Sequence, residues 1–212
     1  MKFAHISLAA GLACLAAACS FGGPDFTTRG LMAPVAQCSV DPRSLGDAEQ
    51  LQPFEESNGC GIPNPWRMHS LSGVALSEPA TLNCGEIAAV DGWLNATVQP
   101  AATRAFGEPV VGIDVAASYA CRPRNNVRGA RLSEHGFGNA IDISGFTLAD
   151  GRKVTVQDGW SGARDERTFL RTVRKEACGE FKTVLGPGAD AEHHNHFHLD
   201  IARRRNDSTY CH

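Results

Sequence analysis

Hydrophobic and polar positions repeat with two periods along this chain, and the switches between them mark the elements. Val74, Ala75 and Leu76 form a short apolar run that reads as a strand. Ile87, Val90, Trp93 and Leu94 recur at helical spacing, inside a region, 81–106, that reads as helical. Asn83 and Glu86 have the spacing of a capping box near its start. Pro100 is expected to kink or split this helix, because its ring removes a backbone donor. Residues 110–115 read as a strand, and 123–131, polar and basic, as a surface loop. Residues 139–148 read as another strand. Asp150-Gly151 is a hairpin signal, with 153–156 as the partner. Phe169, Leu170, Val173 and Ala177 mark an amphipathic helix over 163–177, which Gly179 is placed to end. A strand at 181–185 and a Gly-Pro-Gly loop at 186–188 follow. Phe197, Leu199 and Ile201 are then the apolar half of a strand whose other face carries His196, His198 and Asp200. Residues 38–65 hold several Pro and Gly without periodicity and read as irregular structure tied by Cys38 and Cys60.

Helices therefore come first, followed by mostly hairpin-connected strands with one long helical crossover. The class expected is α+β, an antiparallel sheet with helices packed against it. No internal repeat is visible.

Composition narrows the setting. The 212 residues suffice for one domain with a real core, and 42% hydrophobic with 20% charged residues is globular usage. A net charge of -3 gives no electrostatic case for nucleic acid. Arg203-Arg204-Arg205 reads as a solvated terminus. Lys2 followed by an apolar run from Ile6 to Ala18, too short to span a bilayer, reads as an export signal over 1–18. Leu15-Ala16-Ala17-Ala18-Cys19 resembles a lipoprotein cleavage site, which would make Cys19 a lipidated first residue. Plain secretion with cleavage near Ala18 is the alternative, and both export the chain. Residues 19–36, rich in Gly, Pro, Thr and Ser, read as a tether, and 37–212 as the domain. Six cysteines remain: Cys38, Cys60, Cys84, Cys121, Cys178 and Cys211. An even, well-separated set in an exported chain reads as three disulfides. No two of them have Cys-x-x-Cys spacing, which argues against metal thiolates.

The candidate chemistry lies in two stretches, 133–143 and 192–200. The second holds four of the chain's eight histidines. Ile141 and Ile143 face one way along their strand, Asp142 and Ser144 the other. Set beside the 197–201 strand, this would bring Asp142 and His198 to one point. An unpaired buried carboxylate is costly, so Asp142 needs a cation or an arginine partner. His135 is either a satisfied loop histidine or a ligand, and its company of Gly138, Ala140 and Asp142 favours the ligand. Those small residues would let backbone and metal approach closely. His, Asp and His are donor types that zinc takes, and three protein donors with an open fourth position make a catalytic rather than a closed site. The residues alone do not say whether His196 or His198 binds.

Ser133, His135, Gly138, Ala140 and Asp142, followed by His196-Phe197-His198, resemble the zinc signature of the D-alanyl-D-alanine metallopeptidases and lysostaphin-type wall peptidases. Together with Ser118-Tyr119-Ala120-Cys121-Arg122 and His198-Leu199-Asp200, they most resemble the bacterial extensin-like C-terminal domain family, from about Cys38 to Cys211. Nothing here is Pro-rich or repetitive as a structural extensin would be. The resemblance implies an α+β fold, zinc held by His135, Asp142 and His198, and His196 beside the metal, orienting substrate or stabilising an oxyanion. It implies Arg122 as a carboxylate or carbonyl anchor, with Ser133 near substrate. Asn195 replaces the acid that the carboxypeptidase branch carries three residues before its last zinc histidine. The general base is then Glu192 or His193. Asp200 either orients a zinc histidine or caps the strand edge. The implied activity is hydrolysis of peptidoglycan peptide stems in the envelope. The alternative is a metal-bound, non-hydrolytic module that binds wall peptide or a partner protein.

Overall fold

The computed structural model describes residues 38–212. The expected export signal, Cys19 and the tether lie outside the described residues. The strands are β1 (Ala48–Gln50), β2 (Phe54–Glu55), β3 (Gly61–Ile62), β4 (Trp66–Leu71), β5 (Val74–Leu82), β6 (Val110–Ala117), β7 (Ala140–Leu148), β8 (Lys153–Thr155), β9 (Thr183–Leu185), β10 (Phe197–Asp200) and β11 (Tyr210–Cys211). The helices are α1 (Cys84–Trp93), α2 (Gln99–Phe106), α3 (Val156–Gly159) and α4 (Arg164–Ala177).

A nine-stranded sheet runs β1-β4-β5-β6-β7-β10-β9-β11, with β8 added to β7. Strands β2 and β3 pair apart from it. The sheet is mostly antiparallel, as expected, but β5–β6 and β9–β11 pair in parallel.

The apolar halves of the strands face the long helices. Trp93 sits at the centre of that contact as a core residue. Its ring lies 6.2 Å from Phe146 and 6.1 Å from Phe181, and its indole N–H donates to the Val173 carbonyl of α4 at 2.9 Å. Phe169 stacks edge-on against Phe146 and Phe106. This packing leaves the polar face of β7 and β10, with Asp142, His198 and Asp200, turned away from the hydrophobic core.

Two readings of the early chain need correction. A hairpin precedes the first helix: β4 was not foreseen, and β5 runs to Leu82 instead of stopping at Leu76. Trp66, Met68 and Leu71 are all buried, but a register shift between Met68 and Ser70 breaks their alternation. Pro79 falls in that irregular stretch of β5, where a missing backbone donor is tolerated. The turn between them is Ser72-Gly73, both with positive φ, as a two-residue hairpin loop requires. Residues 38–65 also carry the short strands β1 to β3. The expected long helix is split where Pro100 demanded it. A π-helical turn, Leu94–Val98, separates α1 from α2, and Pro100 occupies the first turn of α2, where no donor is needed.

The six cysteines form Cys38–Cys84, Cys60–Cys121 and Cys178–Cys211, with Cα separations of 5.3, 5.8 and 6.0 Å. Cys38 and Cys60 therefore tie the 38–65 segment to α1 and to the loop after β6, not to each other.

The capping box is only half formed. Asn83 accepts from the Glu86 N–H at 3.0 Å, but the Glu86 side chain does not return the bond. It is fully buried with neither oxygen paired among the described residues. Burial, then the charges of Asp200, Asp142 and Glu134, raise its pKa well above the usual carboxylate range, so it sits in the fold as a neutral acid. A carboxyl raised this way favours folding only below its ordinary value of 4.5 and costs stability as pH rises above it. Glu86→Met is therefore expected to melt higher than wild type at pH 7, by on the order of 1–3 kcal/mol, with the gain shrinking towards pH 4.5. A lower melting point at pH 7 would show that Glu86 makes a bond this account lacks.

Candidate metal centre

The register of β7 against β10 builds the site. His198 lies directly opposite Asp142, the pairing that brings two side chains of one sheet face closest. His135 comes from the short 3-10 turn Glu134–Phe137 just before β7. That turn packs tightly on its surroundings. A Cβ at Gly136 would lie 2.6 Å from the Cys60 sulfur. Gly138 has φ 64°, and a Cβ there would meet Ile62 at 2.5 Å. Gly136 and Gly138 thus allow the turn to pack closely against Cys60 and Ile62.

Three donor atoms converge. His135 Nε2 lies 3.1 Å from His198 Nδ1 and 3.2 Å from Asp142 Oδ1, and His198 Nδ1 lies 2.9 Å from the same oxygen. All three residues are buried and grouped as a set able to hold a metal ion. The outer nitrogens are also fixed. His135 Nδ1–H donates to the Ser118 carbonyl at 2.6 Å, and His198 Nε2 sits 3.0 Å from Asp200 Oδ2. Such partners select the tautomer that turns a lone pair inward. Asp200 thus orients His198 in addition to accepting from the Ala202 N–H at the strand's end.

Two inward lone pairs and a carboxylate oxygen within hydrogen-bond distance repel one another unless a cation lies between them. In the metal-free protein a proton serves. Burial opposes charging His198, but its bonds to Asp142 and Asp200 prevail and push it up to about 9. Burial likewise opposes the Asp142 charge, yet His135 and His198 hold that carboxyl far below the usual range. The raised histidine stabilises the fold fully below its ordinary value of 6.5 and loses that contribution as pH rises through 9. In chelator, the melting temperature is expected to fall between pH 6.5 and 9. With saturating metal, which displaces the proton, the fall should vanish. A flat profile in chelator would contradict the proton's place in the site.

The other predicted residues fall around this triangle. His196 stands outside it: its Nε2 is 3.7 Å from Asp142 Oδ2, and its Nδ1 meets Asn195 Oδ1 at 2.8 Å. Burial first, then the neighbouring imidazoles, lower its pKa against the pull of Asp142, so it is neutral at neutral pH. His193 is buried, with its ring 5.2 Å from His196 and 5.7 Å from His198. Its Nδ1 is bound to Asp190 Oδ1 at 2.6 Å. Asp190 also accepts from the backbone N–H groups of Glu192 and His193. Sequence reasoning missed Asp190, which sits in a loop three residues before His193. The Glu192 side chain is exposed at the rim, and His194 bonds only the Ala191 carbonyl.

One cavity of about 380 Å³ joins these groups, lined among others by Arg122, Ser133, His135, Asp142, Glu192, His193, His196 and His198. The Arg122 guanidinium and the Ser133 hydroxyl have no protein partner among the described residues. Tyr119 instead points its hydroxyl to Glu56 at 2.5 Å and does not line the cavity. Arg204, expected in a solvated terminus, is part of the cavity wall.

Residues 36–212 match the family model described as extensin-like protein C-terminus. No curated protein and no solved structure matches the chain.

Proposed function

The chain belongs to the extensin-like C-terminal family, and from that premise and the geometry above we propose that it is a zinc-dependent peptidase acting on peptidoglycan peptides. The observation that carries the reading is the donor triangle. Its edges of 2.9 to 3.2 Å compare with about 3.3 Å between donors set about 2.0–2.1 Å from a tetrahedral zinc. His135, Asp142 and His198 would hold the ion. The likeness of their spacing to that of D-alanyl-D-alanine and lysostaphin-type metallopeptidases supports zinc over other divalent metals. His196 lies outside the triangle, so three protein donors leave a position free, the hallmark of a catalytic rather than a structural site.

Bound zinc supplies Lewis acidity, which makes water a nucleophile at neutral pH and polarises a carbonyl. The chain's own residues do the rest. His193, held by Asp190 at Nδ1, keeps Nε2 as its proton-accepting atom and is the general base favoured by position. Glu192, exposed at the rim, is the second candidate. Asn195, standing where the carboxypeptidase branch carries its acid, accepts from the His196 Nδ1–H, which leaves Nε2 of the neutral ring as an acceptor that orients substrate beside the metal. Arg122, unpaired among the described residues, takes a peptide carboxylate or carbonyl, and Ser133 adds a hydroxyl to the same wall.

Three disulfides fit an oxidising compartment. We place the protein in the cell envelope, exported with a lipid on Cys19 or by plain secretion, facing peptide stems of the wall. The test is to incubate zinc-loaded protein with purified peptidoglycan and analyse the products by mass. Released D-alanine marks a carboxypeptidase, and opened crosslinks mark an endopeptidase. No product from any wall fraction, with zinc bound, would replace hydrolysis by the metal-bound binding module.

A further inference from the structure

Several cations on this protein have acidic partners. Arg67 pairs with Glu49, Arg124 with Glu134, Lys153 with Asp114 and Lys182 with Asp207. Two that line the cavity do not: Arg122 and Arg204. Arg204 is held in place without being neutralised. Its Nη2 donates to Thr183 Oγ1 at 2.6 Å, and its guanidinium carbon lies 5.5 Å from the Tyr210 ring centroid. Its Nε–H is buried and finds no acceptor among the described residues. A buried donor without an acceptor is costly, and a positioned guanidinium with an unfilled donor is suited to a carboxylate.

The sheet places these two arginines on opposite sides of the metal triangle. Ala117 of β6 lies opposite Asp142, and Arg122 follows β6 by a few residues, its carbonyl accepting from the N–H of Ser133, two residues before His135, at 2.9 Å. In the other direction His198 and then Leu185 follow Asp142 across the sheet. One step along, Asp200, Thr183 and Tyr210 form the next row. Arg204 is anchored on that row, at β9. With strands about 4.8 Å apart, β9 lies about 10 Å from β7, which an extended chain crosses in about three residues.

We propose that Arg204 is a second carboxylate-binding residue and that the cavity takes a peptide with acidic groups on both sides of the bond lying over Asp142 and His198. The inference rests on the peptide-binding reading above, with Arg122 on the first carboxylate. It adds the class of peptide: one whose second carboxylate, carried by a side chain or a free terminus, stands two to three residues from the reacting bond. The wall that presents Arg204 is fastened by the parallel β9–β11 pairing and by the Cys178–Cys211 disulfide, so the subsite is built into the fold.

The test uses zinc-loaded protein and two short peptides in which a reduced amide replaces the scissile bond. One carries a side-chain carboxylate three residues from that bond, and the other carries the carboxamide there. Calorimetry should show the carboxylate peptide binding wild type at least about tenfold more tightly. Arg204→Gln should erase the difference by weakening only that peptide, and Arg204→Lys should restore part of it, because it keeps the charge but loses the fork. Equal affinities in wild type, equal weakening of both peptides by Arg204→Gln, or no binding of either peptide would overturn the assignment. Binding is read without turnover, so the two readings fail separately. An inactive protein that still prefers the diacid refutes hydrolysis alone. An active one with no preference refutes the Arg204 subsite alone.

Discussion

His198→Ala is expected to strip the metal from the purified protein, whereas His196→Ala is expected to keep one equivalent and lose rate. The two residues share one strand face, and their chemistry looks equivalent in the sequence. Register separates them. His198 faces Asp142 across the β7–β10 pair and puts Nδ1 2.9 Å from Oδ1. His196 reaches only the other oxygen, at 3.7 Å. Removing one of three donors should cost more affinity than the 10–100-fold typical of an outer partner. Asp200→Asn, which weakens the hold on His198 Nε2, should fall in that lower range. Metal content by mass spectrometry, alongside competition with a chromophoric chelator, measures all three. Zinc lost from His196→Ala and retained by His198→Ala would invert the assignment.

His193→Ala is expected to lower turnover on wall peptide by about 10²–10⁴-fold, the usual contribution of a positioned base, with zinc content unchanged. Glu192→Gln should keep most of the activity. The difference follows from placement. A base must be held within reach of the proton it takes, directly or through one water. His193 is buried beside His196 and His198 and fixed by Asp190. Glu192 is exposed, and nothing among the described residues fixes its carboxylate. A collapse of activity in Glu192→Gln with His193→Ala near wild type would give the role to the carboxylate.

Much of this site is legible in the sequence because its donors lie on strands of period two. Ile141 and Ile143 fix the direction of Asp142, and Phe197 and Leu199 fix that of His198. Once the two strands pair, the apolar rows must bury together and the polar rows must meet. The helices are legible for the same reason, since Trp93, Phe169 and Val173 keep their spacing. The β4–β5 hairpin was hidden because the irregularity opposite Pro79 breaks the alternation that would have announced it. Asp190 and Arg204 were hidden for a different reason. Both sit in loops, where no periodicity ties a side chain to a face, and only the folded chain shows that Asp190 grips His193 and that Arg204 reaches Thr183. The capping-box spacing of Asn83 and Glu86 told half the story: Asn83 caps the helix, but the Glu86 carboxyl turns inward instead of back to Asn83.

The central claim, an open three-donor metal centre, is tested most directly by X-ray absorption at the zinc edge on protein loaded with one equivalent. The account predicts a first shell of nitrogen and oxygen alone at about 2.0–2.1 Å, with the signature of two imidazoles and no sulfur. Failure to bind one equivalent, or a first shell with sulfur at about 2.3 Å, would contradict it.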